Sequence, residues 1–151
     1  MDHAAVFGMT DVVDVLVAAG TKIHSLEMAA AAGDVSAWPL GRFDLQSRIR
    51  ALVFAADHQR LTVIDQLIKA GTPVNEADAE WGRLPLHTAA GNGRPASVRR
   101  LLAHGADPNL RDPEHSTTAL QESQQENTPA HREVEAILRP LTHGDTPEDR
   151  A

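Results

Sequence analysis

Cysteine is absent from this chain of 151 residues, tyrosine is absent too, and aromatic residues make up 3% of it. Without thiols there are no disulfides, no thiolate zinc sites and no cysteine nucleophile, and nothing calls for an oxidising compartment, so the expected location is the cytoplasm. Basic residues are in deficit: 14 Lys and Arg stand against 21 Asp and Glu, a formal charge of −7. A field of that sign repels phosphate backbones and anionic lipid, which argues against nucleic acid and membrane as partners. No apolar run approaches the ~18 residues that a membrane-spanning helix needs. The opening MDHAAVFGMTD is acidic where a secretory leader would be basic. What remains is rich in Ala, Leu and Val, which suit close helix packing better than a sheet surface. The expected class is all-α.

A repeat organises the chain. The doublet Ala55-Ala56 opens AADHQRLTVIDQLIKAGTPVN and Ala89-Ala90 opens AAGNGRPASVRRLLAHGADPN, and the interval from Ala55 to Ala89 is kept from Gly71 to Gly105. One further step of the same length lands on Ser123, where Thr118-Ala119-Leu120 stand as Leu84-Pro85-Leu86 do one copy earlier. Upstream, Ala4-Ala5 opens AAVFGMTDVVDVLVAAGTKI, which fits the template through Gly8, Val12, Val13, Leu16 and Gly20. Each copy reads as two helices. The first is short and rich in small residues, such as Leu84 to Asn92; the second places apolar residues at helical spacing, such as Leu61, Ile64, Leu67 and Ile68. Gly71 and Gly105 stand where left-handed helix caps are expected, and TPVNEAD and ADPNLRD beyond them read as turns. One helix pair cannot bury its apolar face alone, so successive pairs must stack into a curved solenoid.

The stretch LPLHTAAGNGRPASVRRLLAHGADPNLRD resembles the ankyrin repeat, whose pattern is roughly TPLHxAAxxGxxxVVxxLLxxGADxN over about 33 residues. Leu84-Pro85-Leu86-His87 carries the helix-opening element with Leu in place of Thr, and Gly105-Ala106-Asp107-Pro108-Asn109 carries the closing element. The resemblance extends to about Leu141 and implies an all-α ankyrin-repeat solenoid of four to five stacked helix pairs. The expected units are residues 1–23, 24–43, 44–78, 79–111 and 112–141 of one domain, followed by a disordered polar tail over 142–151.

Some units depart from the pattern. SLEMAAAAGDV starts the second correctly, but AWPLGRF stands where its outer helix belongs, and Pro39 cannot continue a helix. Spacing shortens accordingly: the steps from Ala4 to Ala29 and from Ala29 to Ala55 both fall short of the step from Ala55 to Ala89. The segment from Asp44 to Phe54 is expected to lengthen the third unit's inner helix at its start. The last unit gains Thr128-Pro129-Ala130 before HREVEAILRP, and Gln121, Glu122, Gln124, Gln125 and Glu126 give its first helix the polar character of a terminal cap. No turn element precedes Asp2, so the first repeat is expected to be uncapped.

Eight histidines raise the question of metal or acid–base chemistry. There is no HExxH, no HxH pair and no His/Asp cluster at ligand spacing, so neither a metal nor a cofactor is expected. The resemblance implies that His87 bonds backbone groups of neighbouring turns. His104 precedes a helix cap, where a cation suits the dipole, and His131 opens the last helix. The resemblance also puts Asp57-His58 at positions facing the family's concave groove. A solvated contact pair is expected there rather than a proton shuttle, since adjacent helix residues do not face each other. Gly91-Asn92-Gly93-Arg94 lacks the strand and the GK[ST] ending of a phosphate loop, and no GxSxG announces a serine nucleophile. The turn Ala79-Glu80-Trp81-Gly82-Arg83 sets an aromatic beside a guanidinium, the composition of an interface hot spot; packing of Trp81 over a neighbouring unit is the alternative. One unit on, Glu114 and His115 continue that ridge, with Asn92 in the groove beneath. Trp38 reads as a plug for the missing helix, and Arg94, Arg99, Arg100 and Arg111 as a solvated outer face.

The expected partner-binding set is thus Asp57, His58, Glu80, Trp81, Arg83, Asn92, Glu114 and His115, with no catalytic residue assigned. The leading expectation is a non-enzymatic module that binds a protein through its groove and turn tips. The alternative is a small-molecule binder or unusual enzyme with a pocket at the degenerate unit near Trp38, Asp57 and His58. A third expectation is a homo-oligomer stacked through the uncapped first repeat.

Overall fold

The computed structural model describes residues 10–143. Its helices are α1 (Thr10–Ala18), α2 (Leu26–Ala32), α3 (Leu45–Asp57), α4 (Leu61–Lys69), α5 (Pro85–Gly91), α6 (Pro95–Ala103), α7 (Ala119–Ser123) and α8 (Pro129–Leu138), with 3-10 turns at Leu40–Arg42 and Arg139–Leu141. The only bridge among the described residues joins Arg111 and Thr118. The helix expected around Ala4-Ala5, the uncapped start before it, and the expected tail beyond His143 lie outside the described residues.

Local chemistry sets the helix starts. Ser25, Asp44, Thr118 and Thr128 stand at N-caps, their side-chain oxygens accepting from the backbone N–H of Met28, Ser47, Gln121 and His131. Pro95 and Pro129 occupy first turns, where a missing N–H costs nothing. Gly71 and Gly105 take the left-handed conformation expected of them, with φ of 91° and 88°.

Helices α2, α3, α5 and α7 pack in succession as an inner row, and α4, α6 and α8 form an outer row, each packed on the inner helix of its own pair. One apolar core runs through both rows, and Leu52, Ile64, Leu67, Val98, Leu101 and Val134 are fully buried in it. The inner row is built on Ala29-Ala30, Ala55-Ala56 and Ala89-Ala90, all without exposure, whose small side chains let neighbouring helices approach closely. Side chains then fasten each pair to the next. Asn75 donates from Nδ2 to the Gly105 carbonyl (3.2 Å) and accepts at Oδ1 from the Asp107 N–H (2.9 Å). Asn109, one repeat on, does the same with the Leu141 carbonyl (3.1 Å) and the His143 N–H (2.7 Å).

The expected departures have a physical form. Helix α3 has 13 residues against 7 in α5, and Asp44 caps its extra turns. Counting back one repeat interval from Asp78 reaches Asp44, so residues 44–49 begin a helix where 78–83 form a turn. No outer helix follows α2; Trp38, Leu40 and Phe43 pack on the core instead, with the Trp38 and Phe43 rings 5.8 Å apart. Across that thinned layer α1 reaches the turn between α3 and α4: Arg60 pairs with Asp14, and His58 Nδ1 lies 2.9 Å from Thr10 Oγ1.

Two readings at the other end are corrected. Thr128-Pro129-Ala130 are not extra residues: they stand one repeat interval after Arg94-Pro95-Ala96, and Thr128 caps α8 while the next two residues form its first turn. Thr142, expected to open the polar tail, is 3% exposed, and its Oγ1 donates to the Leu138 carbonyl at 3.0 Å.

Candidate interaction groove

Carboxylates build the turn tips. Asp78, 1% exposed, accepts from the N–H groups of Glu80 (3.1 Å) and Trp81 (2.8 Å) at Oδ1 and of Arg83 (2.9 Å) at Oδ2. Its own N–H donates to the Arg83 carbonyl. Asp112, one repeat on, uses the same device: Oδ1 accepts from the His115 N–H at 2.7 Å, and the Asp112 N–H donates to the Thr117 carbonyl at 2.9 Å. Burial opposes ionisation of Asp112, but bonds from the backbone of His115 and Thr117 outweigh it and lower its pKa.

The extension of α3 braces the first turn. Gln46 Oε1 accepts from the Ala79 N–H (2.9 Å), and Arg50 pairs with Glu80 (2.9 Å). Trp81 packs its ring edge against Phe54 at 6.1 Å, and the guanidinium groups of Arg50 and Arg83 lie 5.7 and 5.5 Å from its centroid. It nonetheless stays 37% exposed. Trp81 therefore combines the two expectations held for it, leaning on a neighbouring helix and still facing solvent.

An open groove of about 1090 Å³ runs between the two turns and over α5 and α7. Trp81 and Arg83 line it from the first turn and Glu114 and His115 from the second; His87, Thr88 and Asn92 come from α5 and its end, and Glu122, Gln125 and Glu126 from α7 and the residues after it. Glu80, Trp81, Arg83, Asn92, Glu114 and His115 are thus brought together as expected positions of contact. Glu122 and Glu126, taken from the sequence only as cap polarity, join them. The repeat interval would have found both, since they stand one repeat after Thr88 and Asn92.

Asp57 and His58 do not line the groove. Expected to be solvated, they are 3% and 2% exposed, because α3 is covered on both sides. Asp57 accepts from Asn92 Nδ2 at 2.8 Å on the side of the following pair, whereas His58 turns to Thr10 on the side of the preceding one. Burial raises the Asp57 pKa, against the opposing pull of His58, Asn92, Arg94 and Arg83. The polar pair of the alternative pocket is therefore enclosed and divided, and the Trp38 ring is packed on Phe43.

The other histidines sit in the scaffold. His87, 6% exposed, donates from Nε2 to the Thr117 carbonyl at 2.9 Å, and burial lowers its pKa. His131 Nε2 donates to the Gly91 carbonyl (2.9 Å) while Nδ1 accepts from Thr128 Oγ1 (2.7 Å). His104 Nε2 bonds Asp65 at 2.7 Å, and Arg100 pairs with the same carboxylate. Arg99 pairs with Glu133 at 2.8 Å and Arg111 donates to the Ser116 carbonyl at 2.6 Å, which disperses the cationic group of the outer face. Among the described residues no three His, Asp or Glu are placed to hold a metal ion, and no helix is long and apolar enough to cross a membrane.

The model of ankyrin repeats (3 copies) matches residues 1–112 and again 52–134. The chain belongs to the ankyrin-repeat family. It is similar to the Espin-like protein of Homo sapiens, 40% identical over 57 residues that cover 38% of this chain and 6% of that protein. It is similar also to the 2-5A-dependent ribonuclease of Mus musculus (38% over 61 residues, 40% of this chain and 8% of that one). Ankyrin repeat domain-containing protein 49 of Bos taurus is 46% identical over 59 residues, 38% of this chain and 24% of that one. The chain therefore matches less than a quarter of each of these relatives, and what it shares with them is ankyrin repeats. Such repeats are in general modules of protein interaction.

Proposed function

We propose that the chain is a non-enzymatic interaction module, residues 1–141 in the five units named above, that binds a segment of a partner protein in the groove between turns 78–83 and 112–117. The convergence of Trp81, Arg83, Asn92, Glu114 and His115 on one open groove carries this reading. The groove is also formed in advance. Asp78 and Asp112 fix the backbone of both turns through side-chain hydrogen bonds, so little ordering entropy is lost when a partner docks. Trp81 offers a large aromatic surface already held by Phe54 and two guanidinium groups, which is how hot-spot anchors gain affinity at small entropic cost.

A photo-reactive benzoylphenylalanine at Thr88, within the groove, and another at Lys69, exposed on α4, test this in lysate of the source cells. Position 88 should label a discrete protein, and adding Trp81→Ala/Arg83→Ala should abolish that labelling at unchanged helix content. Equal labelling from both positions, or none from position 88, would sink the reading.

A further inference from the structure

The charges of the groove do not balance, and the imbalance identifies its occupant. Lining it are the carboxylates Glu80, Asp112, Glu114, Glu122 and Glu126 against one guanidinium, Arg83. Glu80 is taken by Arg50 at 2.9 Å, and Asp112 is taken by backbone N–H groups of its own turn. Glu122 accepts from two neutral groups, Thr117 Oγ1 and Gln125 Nε2. Glu126 lies 3.9 Å from the His131 ring, but that nitrogen already donates to Gly91. Glu114 is exposed beside them. Among the described residues, then, no Lys or Arg lies within ion-pair distance of Glu114, Glu122 or Glu126.

The groove is therefore short of cationic donors: its one guanidinium, Arg83, stands against five carboxylates. The formal charge of −7 over the chain draws a cationic partner in from a distance.

We infer, on the groove reading above, that the occupant is a basic segment of the partner protein, its Lys or Arg side chains set against Glu114, Glu122 and Glu126 and an adjoining apolar residue against Trp81. The same three carboxylates exclude acidic segments, so the site is selective by repulsion as well as attraction.

A phage-displayed library of random 12-residue peptides, selected on the full chain in low salt, tests this, with affinities of synthetic winners read by fluorescence polarisation. Winners should be enriched in Lys and Arg. Their affinity should fall about ten-fold in the Glu114→Gln/Glu122→Gln/Glu126→Gln variant, fall again as salt rises, and fall in Trp81→Ala. Winners without basic enrichment that still depend on Trp81 would overturn the basic-segment inference and leave the groove reading standing. Winners indifferent to both variants, or no winners at all, would overturn the two together. Circular dichroism of each variant separates these results from unfolding.

Discussion

His87 and His131 each stand near the start of a helix, and they differ in the residue three places before. Thr128 supplies a hydroxyl that caps α8 and bonds His131 Nδ1, whereas Leu84 supplies none and His87 Nδ1 goes without. Thr128→Val should therefore cost about 1–2 kcal/mol in urea unfolding, and a change within error would show that the cap is unimportant. The low pKa of His87 has a pH consequence. Unfolded, it titrates near 6.5; folded, it resists protonation, so its stabilisation is complete above that pH and is lost as the pH falls. Unfolding free energy should drop from pH 7.5 to 5, and His87→Gln, which keeps a donor for Thr117 but cannot titrate, should flatten that slope. Asp57 runs the other way: its raised pKa means that folding is favoured below about pH 4 and opposed as the carboxyl ionises above it. Asp57→Asn should accordingly stabilise the protein at pH 7 and not at pH 3.5. Gly93 is constrained twice, by a φ of 62° and by the His131 ring, 2.9 Å from where a Cβ would sit. Gly93→Ala should destabilise by about 2–3 kcal/mol.

Among the elements, α3 sets the recognition surface without lying in it. Its first turns replace the turn that the repeat would place at 44–49, and from there Gln46 and Arg50 hold Ala79, Glu80 and Trp81. In a Trp38→Phe background, where Trp81 is the sole tryptophan, Arg50→Ala should shift its emission to the red and loosen partner binding; an unchanged spectrum would mean that Phe54 and Arg83 suffice. The helix pairs were legible because a fixed interval and the Ala doublets are local signals. So was the lengthened α3, since Asp44 is a capping residue before an apolar-periodic run. The burial of Asp57 and His58 was not legible, because it depends on how near the neighbouring pairs come once an outer helix is missing, and no local pattern records that distance. The anchoring of both turns was available in principle: Asp78 and Asp112 keep the repeat interval, but a carboxylate in a turn looks the same from sequence whether it faces water or its own backbone.

At the scale of the whole molecule, the two halves are joined internally by different means. From α3 to α8 both rows are complete, and apolar side chains run unbroken from Leu52 to Leu138. Before α3 the outer row lapses, and among the described residues α1 is attached through Arg60 with Asp14, His58 with Thr10, and the small cluster of Val13, Ala31 and Phe54. In a linear array, stability is a sum of units and the interfaces between them, so the poorest interface is where the array comes apart first. Hydrogen exchange should accordingly show α1 amides opening by a low-energy route that leaves α5 to α8 protected, and uniform protection along the chain would contradict it. The lapse in the outer row thus acts as a fuse. Heat or denaturant should release α1 first, a helix that does not line the groove, and a bound segment would slow exchange around the groove while α1 kept its own pace, whether the site was filled or empty.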